Sequence, residues 1–438
     1  MTLKKIRDGA LFFITVIIIG IVSVSVIAYG RGYRLDMQGK SLGTTGLITA
    51  TSDPVGAMVF VDGKKTTATN GNINVVPGWY TVRIVKEGYQ PWEKRIRVQG
   101  EVVARADATL FPQNPSLYAV TGNGAVNPTM SPDGAKLAYI IPEDPTASES
   151  GAATPKFGVW ILDIADKPLG LNRDAKKILE GTLLPAKDSI LTWSPDSKEL
   201  LVTSTVDKVT SYYLLDAENV NAYLRSVAEM PALAQSWKTL SEEKEKEKLL
   251  SLKPDVSFIA TSSMAMMNFS PDETMVLYEG NSDFTLPPII TPAPISTNPT
   301  EEDRMVKPGN LYVYDLKEDR NYLLGKKTDF IESSSFPLCI PVKGEQPNEL
   351  YKEAVSFFCQ YTRKAHIQWL PTSRHLVITG KDRIDIMEFD GGNRKTVYAG
   401  PFWNGFVAPW TNGSKLIILT SLNTHIQNAM NLYGVNIK

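Results

Sequence analysis

Cysteine is nearly missing from this chain: Cys339 and Cys359 are the only two in 438 residues. So few thiols exclude a small disulfide-stapled scaffold and a four-cysteine structural zinc site. Histidine is almost as scarce, and His366, His375 and His425 share no spacing that suggests a metal site. Neither sign of charge dominates, with 46 Lys and Arg against 47 Asp and Glu and a formal net charge of −1. That balance argues against a nucleic-acid partner, which calls for a basic face and a high isoelectric point. No phosphate-binding glycine-rich loop, nucleophile elbow or HExxH element occurs. No catalytic, cofactor-binding or metal-ligating residue is therefore assigned, no cofactor is expected, and the chain reads as a non-enzyme.

What is abundant is apolar. Hydrophobic residues make up 43% of the chain, enough for real cores, and the length suggests two or three domains. One stretch stands apart. Residues 9–29 carry no charge and, as a helix, would reach roughly 31 Å, the thickness of a bilayer's hydrocarbon core. It is too long for the apolar centre of a signal peptide, although a weak cleavage candidate follows Ala28. The expectation is a single-pass transmembrane helix with the bilayer as partner. Lys4, Lys5 and Arg7 precede it while Arg31 and Arg34 follow, so residues 1–8 are placed in the cytoplasm and the remainder outside. So short a cytoplasmic segment leaves no room for a signalling domain.

Residues 30–46, with the Gly/Ser/Thr-rich run 38–46, are expected to be a flexible tether. From Leu47 the pattern becomes β. Met58-Val59-Phe60-Val61 runs into the turn pair Asp62-Gly63. Tyr80, Val82 and Ile84 alternate with Trp79, Thr81 and Arg83, sending Tyr80 and Trp79 to opposite faces. Alternating runs at 92–98 and 102–110 complete a unit over 47–112. Pro54-Val55-Gly56-Ala57, Val59 to Gly63, Pro77-Gly78-Trp79-Tyr80-Thr81-Val82 and Gly88-Tyr89-Gln90-Pro91 together resemble the PEGA domain. Valine stands at the second position of the P-E-G-A element. The resemblance implies a small β-sandwich module of envelope proteins. Trp79, Tyr89 and Trp92 cluster in it as candidate ligand or partner contacts, since aromatics stack on sugar rings; core packing is the competing account.

Beyond residue 115 a unit repeats. A strand, a tight turn and an apolar strand recur at Ser131-Pro132-Asp133-Gly134, Trp193-Ser194-Pro195-Asp196, Phe269-Ser270-Pro271-Asp272, Trp369-Leu370-Pro371-Thr372 and Trp410-Thr411-Asn412-Gly413. No copy buries both faces alone, so the copies must stack, radially in a propeller. The repeat resembles that of TolB-type β-propellers, over 115–438. Five blades are counted, with room for a sixth at 326–362, and the strand at 116–120 is expected to complete the last one. The fold class is thus all-β: a membrane helix, a PEGA-like sandwich and a five- or six-bladed propeller.

Insertions interrupt the repeats. Residues 143–156 read as a mobile loop. Residues 217–253 are expected to be helical, with Tyr223, Val227, Met230, Leu233 and Trp237 on one face; 286–309, rich in Pro and Thr, should be extended and exposed. The recurrent Asp133, Asp196 and Asp272 fit turn chemistry, and Asp163, Asp216 and Asp315 fit strand ends. His366 precedes an inner strand and reads as structural. Cys339 and Cys359 form a disulfide candidate, worth about 3 kcal/mol if closed. The functional expectation is an extracytoplasmic binding or scaffold protein of the cell envelope, engaging a protein or polysaccharide. A hydrolase with carboxylates in the propeller funnel is the alternative, although a propeller joined to a serine-hydrolase domain would need about 200 more residues.

Overall fold

The computed structural model describes residues 2–30, 33–36, 41–100, 102–143, 156–164, 175–207, 209–292, 294, 298–330, 349–361, 367–403, 405–422 and 430–438. It divides into two compact units, 1–111 with 295–301, and 112–294 with 302–438.

The first unit opens with helix α1, Thr2–Gly30. Its described side chains run from Phe13 to Ile27 and are exposed, Phe13 at 69% and Ile21 at 61%. Among the described residues no helix is long and apolar enough to cross a membrane. The span expected over 9–29 is therefore not supported. The stretch expected to be a flexible tether contains a hairpin, β1 (Tyr33–Asp36) paired with β2 (Ser41–Thr44).

Seven strands follow: β3 (Gly46–Asp53), β4 (Met58–Val61), β5 (Lys64–Ala68), β6 (Gly71–Val75), β7 (Gly78–Val85), β8 (Trp92–Val98) and β9 (Val103–Thr109). They form two sheets, β6-β3-β9 and β5-β4-β7-β8. Period-two alternation in β4, β7 and β8 sends Val59, Val61, Val82, Ile84, Trp92, Ile96 and Val98 inward. Ile48, Ala50, Ala104 and Ala106 of the other sheet meet them in one core. The β4–β5 connection is Asp62-Gly63, both at positive φ (47° and 77°), and the Asp62 carboxylate accepts a hydrogen bond from the Thr81 amide at 2.8 Å.

The second unit contains five four-stranded antiparallel sheets among the described residues. The first comprises Val126–Met130, Lys136–Ile141, Gly158–Asp163 and Lys176–Glu180; the second, Ile190–Trp193, Glu199–Val206, Val209–Asp216 and Arg225–Ser226. The third comprises Met264–Phe269, Met275–Gly280, Asn310–Asp315 and Arg320–Lys326; the fourth, Ile367–Trp369, His375–Thr379, Arg383–Glu388 and Lys395–Ala399. The fifth joins Val407–Pro409, Lys415–Thr420 and Asn431–Asn436 to the early strand Leu117–Ala119, with Leu117 opposite Val435 and Ala119 opposite Tyr433.

Apolar faces join these sheets. Ala138, Ile140 and Val159 of the first sheet pack on Leu191, Trp193 and Val202 of the second. Leu137 and Tyr139, on the first sheet's other face, pack on Ala408, Ile417 and Leu432 of the fifth. Leu277, Leu311 and Val313 of the third sheet meet Ile367, Trp369 and Leu376 of the fourth.

The helical insertion begins later than its composition suggests. Helix α2 spans Met230–Ser251, with Pro231 in its first turn, and α3 spans Pro254–Ser263. Tyr223 precedes the helix and is 72% exposed, whereas Met230, Ala234 and Trp237 lie three and four residues apart and are buried. They pack on Leu201, Tyr212 and Leu214 of the second sheet together with Ala354 and Phe358 of α4 (Glu349–Tyr361). The described part of 326–362 is thus largely this helix and not a further sheet.

The Pro/Thr-rich stretch is not simply extended and exposed either. Leu286 and Val306 are buried against the third sheet. Of the expected mobile loop at 143–156, residues 144–155 lie outside the described residues, as do His366 and His425.

Candidate interaction surface

Trp79, Tyr89 and Trp92 do not form one surface. Trp92 is 3% exposed and belongs to the core of the first unit, which removes it as a ligand contact. Tyr89 is half-buried and packs on the edge of the same core. Trp79 alone projects outward, 49% exposed, because it occupies the opposite pleat phase of β7 from the inward Val82 and Ile84.

The neighbours of Trp79 come from register. It sits opposite Arg97 on β8, Thr81 sits opposite Arg95, and Arg83 opposite Glu93. The Arg95 guanidinium lies 5.0 Å from the Trp79 ring centroid, a cation–π contact. Arg83 reaches Glu93 at 3.8 Å with both side chains more than half exposed, a pair that adds little stability. Among the described residues no carboxylate pairs with Arg95 or Arg97. Lys65, opposite Phe60 on the adjoining strands, adds another exposed cation. These arginines were legible in the run Trp92 to Val98, where Glu93, Arg95 and Arg97 alternate with buried Trp92, Ile96 and Val98.

In the second unit the repeated aspartates are engaged by their own turns. The Ser131, Ser194 and Ser270 hydroxyls donate to Asp133, Asp196 and Asp272 at 2.5, 2.6 and 2.7 Å. Each serine oxygen also accepts a backbone amide five residues on. The fourth residue of each turn adopts positive φ: Gly134, Ser197, Glu273, Ser373 and Gly413 all lie between 57° and 69°. Burial alone would raise Asp196 and Asp272, but the serine hydroxyl and the amides of Lys198 and Thr274 hold both below the ordinary carboxylate value. Asp216 and Asp315 accept the amides that follow their strands, so they too serve turns.

A buried polar cluster escaped the sequence reading. The Asp319 side chain is 3% exposed and accepts the Ile289 and Ile290 amides at 2.7 and 2.9 Å and the Tyr314 hydroxyl at 2.7 Å. Arg304 stands 3.4 Å away and also donates to the Asp319 carbonyl. Burial raises Asp319, yet these donors and the guanidinium hold it below the usual range. The cluster ties Ile289, Ile290 and Arg304 to the turn between the last two strands of the third sheet. The composition of that stretch gave no hint of it, because Ile289, Ile290 and Arg304 lie 15 to 30 residues from Asp319.

His375 is buried in its strand, opposite Glu388. Cys339 and the side chain of Cys359 lie outside the described residues, so the disulfide candidate does too. Among the described residues no group of three or more His, Cys, Asp or Glu is placed to hold a metal ion.

Comparison with known proteins follows these two units. Residues 45–114 match the PEGA domain. The match covers the seven-stranded module with its Asp62-Gly63 turn and the Trp79 face. Among curated proteins no sequence matches the chain. Solved structures similar to it include a TolB from Agrobacterium tumefaciens, at 13% identity and TM-score 0.20 over 71% of this chain and 78% of that one. TolB from Acinetobacter baumannii is similar at 12% and 0.17 over 82% and 60%. Porphyromonas gingivalis dipeptidyl peptidase 4 is similar at 12% and 0.21 over 73% and 39%.

Proposed function

We propose that this chain is an extracytoplasmic binding or scaffold protein of the cell envelope. In this reading the five sheets are the blades of a propeller, closed by the pairing of Leu117–Ala119 with Asn431–Asn436. The carrying observation is where the recurrent carboxylates go. Asp133, Asp196 and Asp272 are each bound by their own turn serine, so the repeat's acidic residues build the scaffold. The side chains left to outside partners are those on rigid sheet faces and connecting loops, the arrangement by which propellers present a recognition surface. The PEGA module contributes a second such face at Trp79.

Attachment to the membrane belongs to the same proposal. Phe13 to Ile27 present apolar side chains all round α1, and a helix without a polar face seeks an apolar surrounding. Sodium carbonate extraction of cell membranes tests it: the intact chain should remain in the pellet, and release into the supernatant would reject the anchor.

The binding role is tested by using the purified chain as bait for solubilised envelope material, with captured proteins and glycans identified by mass spectrometry. A partner captured by the folded chain and lost on unfolding it supports the proposal. An empty capture accompanied by cleaved envelope fragments would replace it with hydrolysis.

A further inference from the structure

We propose that the outer face of β5-β4-β7-β8 is a binding surface for an acidic polysaccharide, a glycan chain bearing carboxylate or phosphate groups. This rests on the binding reading above and names the ligand chemistry for one of its faces. The chain as a whole is charge-balanced, with a net charge of −1, yet Lys65, Arg83, Arg95 and Arg97 share this face with Glu93 as its one acidic neighbour on β7 and β8. Arg95 and Arg97 stand two residues apart on one strand, about 7 Å, so both present their forks to the same side. Guanidinium forks match carboxylate and phosphate oxygens in two-point hydrogen bonds. Among the described residues neither Arg95 nor Arg97 is held by a carboxylate, so an incoming anion has no described partner to displace.

The second requirement is the sugar ring. Trp79, on the adjacent strand opposite Arg97, keeps half its surface in solvent, and Arg95 holds it from one side. An indole fixed in this way offers an apolar plane to the C–H face of a pyranose at little entropic cost. The combination of a ring platform flanked by anion-binding forks suits an acidic sugar better than a neutral one. Anionic lipid fits less well. These side chains rise from the pleated surface of one sheet and not from a projecting loop, whereas membrane-inserting aromatics need to reach below the headgroups.

The test is biolayer interferometry with the full chain in nonionic detergent, against immobilised polygalacturonate, with dextran as the neutral glycan and phosphatidylglycerol vesicles as the lipid probe. Polygalacturonate should bind in a salt-sensitive manner, and dextran and the vesicles should not. The double variant R95Q/R97Q should bind about tenfold more weakly, as loss of two charge-assisted contacts implies. Trp79→Ala should weaken binding several-fold, and Arg105→Gln, on β9 of the other sheet and paired with Asp107 at 2.9 Å, should leave it unchanged. All these substitutions are at exposed positions, and unaltered circular dichroism verifies the fold. Polygalacturonate binding that ignores R95Q/R97Q, equal binding to dextran, or preference for the vesicles would overturn the proposal. Envelope capture repeated with the R95Q/R97Q chain separates the two readings. A partner that persists there leaves the binding role standing and removes this face from it.

Discussion

Replacing Asp319 with asparagine should loosen Ile289 and Ile290 without unfolding the second unit. The carboxylate is 3% exposed and accepts three hydrogen bonds at 2.7–2.9 Å while facing Arg304 at 3.4 Å. Asparagine keeps the shape but turns one acceptor oxygen into a donor. Every direction it can take is occupied by a donor: two amides on Oδ2, a hydroxyl and a guanidinium on Oδ1. One contact must become donor against donor, and Arg304 keeps Glu302, at 2.9 Å, as its charge partner. Opposing a donor to a buried donor in this way costs about 1–3 kcal/mol. Asp319 also sits at φ 51°, a conformation asparagine tolerates as well as aspartate does. Asp319→Ala should therefore cost about 1 kcal/mol more than Asp319→Asn, from backbone strain. Hydrogen exchange reads the site directly: the Ile289 and Ile290 amides should be protected in the parent chain and exchange rapidly in Asp319→Asn. The pH dependence has a definite sign. The folded-state pKa lies below the ordinary 3.8, so the carboxylate's contribution is complete above that value and is lost as pH falls through the folded pKa. The difference between parent and variant should accordingly shrink in acid. Unchanged protection of both amides at pH 7, or a difference that grows as pH falls, would refute the reasoning.

Other outcomes follow from the same geometry. Ser194→Ala removes a buried hydroxyl that donates to Asp196 and accepts the Glu199 amide; urea unfolding should show a loss of about 1–2 kcal/mol. Because Asp196 is held below its ordinary value partly by that hydroxyl, acid unfolding of Ser194→Ala should begin at higher pH, as circular dichroism will register. Trp237→Ala empties the space between α2, α4 and the second sheet, where its ring meets Phe358 edge-on at 5.3 Å. A cost of about 3–5 kcal/mol and proteolytic release of α4 are expected. Gly434→Ala would place a methyl inside the Tyr118 ring on the paired strand, so Leu117–Ala119 should lose amide protection at a cost of about 1–3 kcal/mol.

The strands of the first unit were legible where pleat and sequence agree. Val82 and Ile84 against Trp79 and Arg83 give direction as well as structure, and the alternation placed Tyr80 and Trp79 on opposite faces as found. Strand β5 was not legible, since Lys64 to Ala68 offers no apolar alternation and becomes a strand only through its pairing with β4. Trp92 was left open between core and ligand contact because aromatic content does not reveal pleat phase; its phase partners Ile96 and Val98 show it to be core. The same criterion would have brought out Arg95 and Arg97. Asp319 was invisible for another reason: apart from Tyr314, five residues away, its partners Ile289, Ile290 and Arg304 are fixed by tertiary contact, and no local pattern announces them.

The repeats also show how one motif serves neighbouring sheets. In the first and second sheets the Trp193 indole donates to the Thr129 carbonyl, and Ser197 accepts the Asp133 amide. In the third and fourth the same two bonds recur, from the Trp369 indole to Asn268 and from the Asp272 amide to Ser373. At Ser197 and Ser373 the left-handed residue is thus a latch to the preceding sheet as well as a corner. Glu273, at that position in the third sheet, carries no hydroxyl, and the second sheet turns its other face to helices. There α2 takes over: Lys244 donates to the Pro195 carbonyl of the second sheet's turn, while Lys248 lies over Phe269 of the third sheet. An insertion that reads in sequence as an interruption of the repeat is, by these contacts, the connection between two of its sheets.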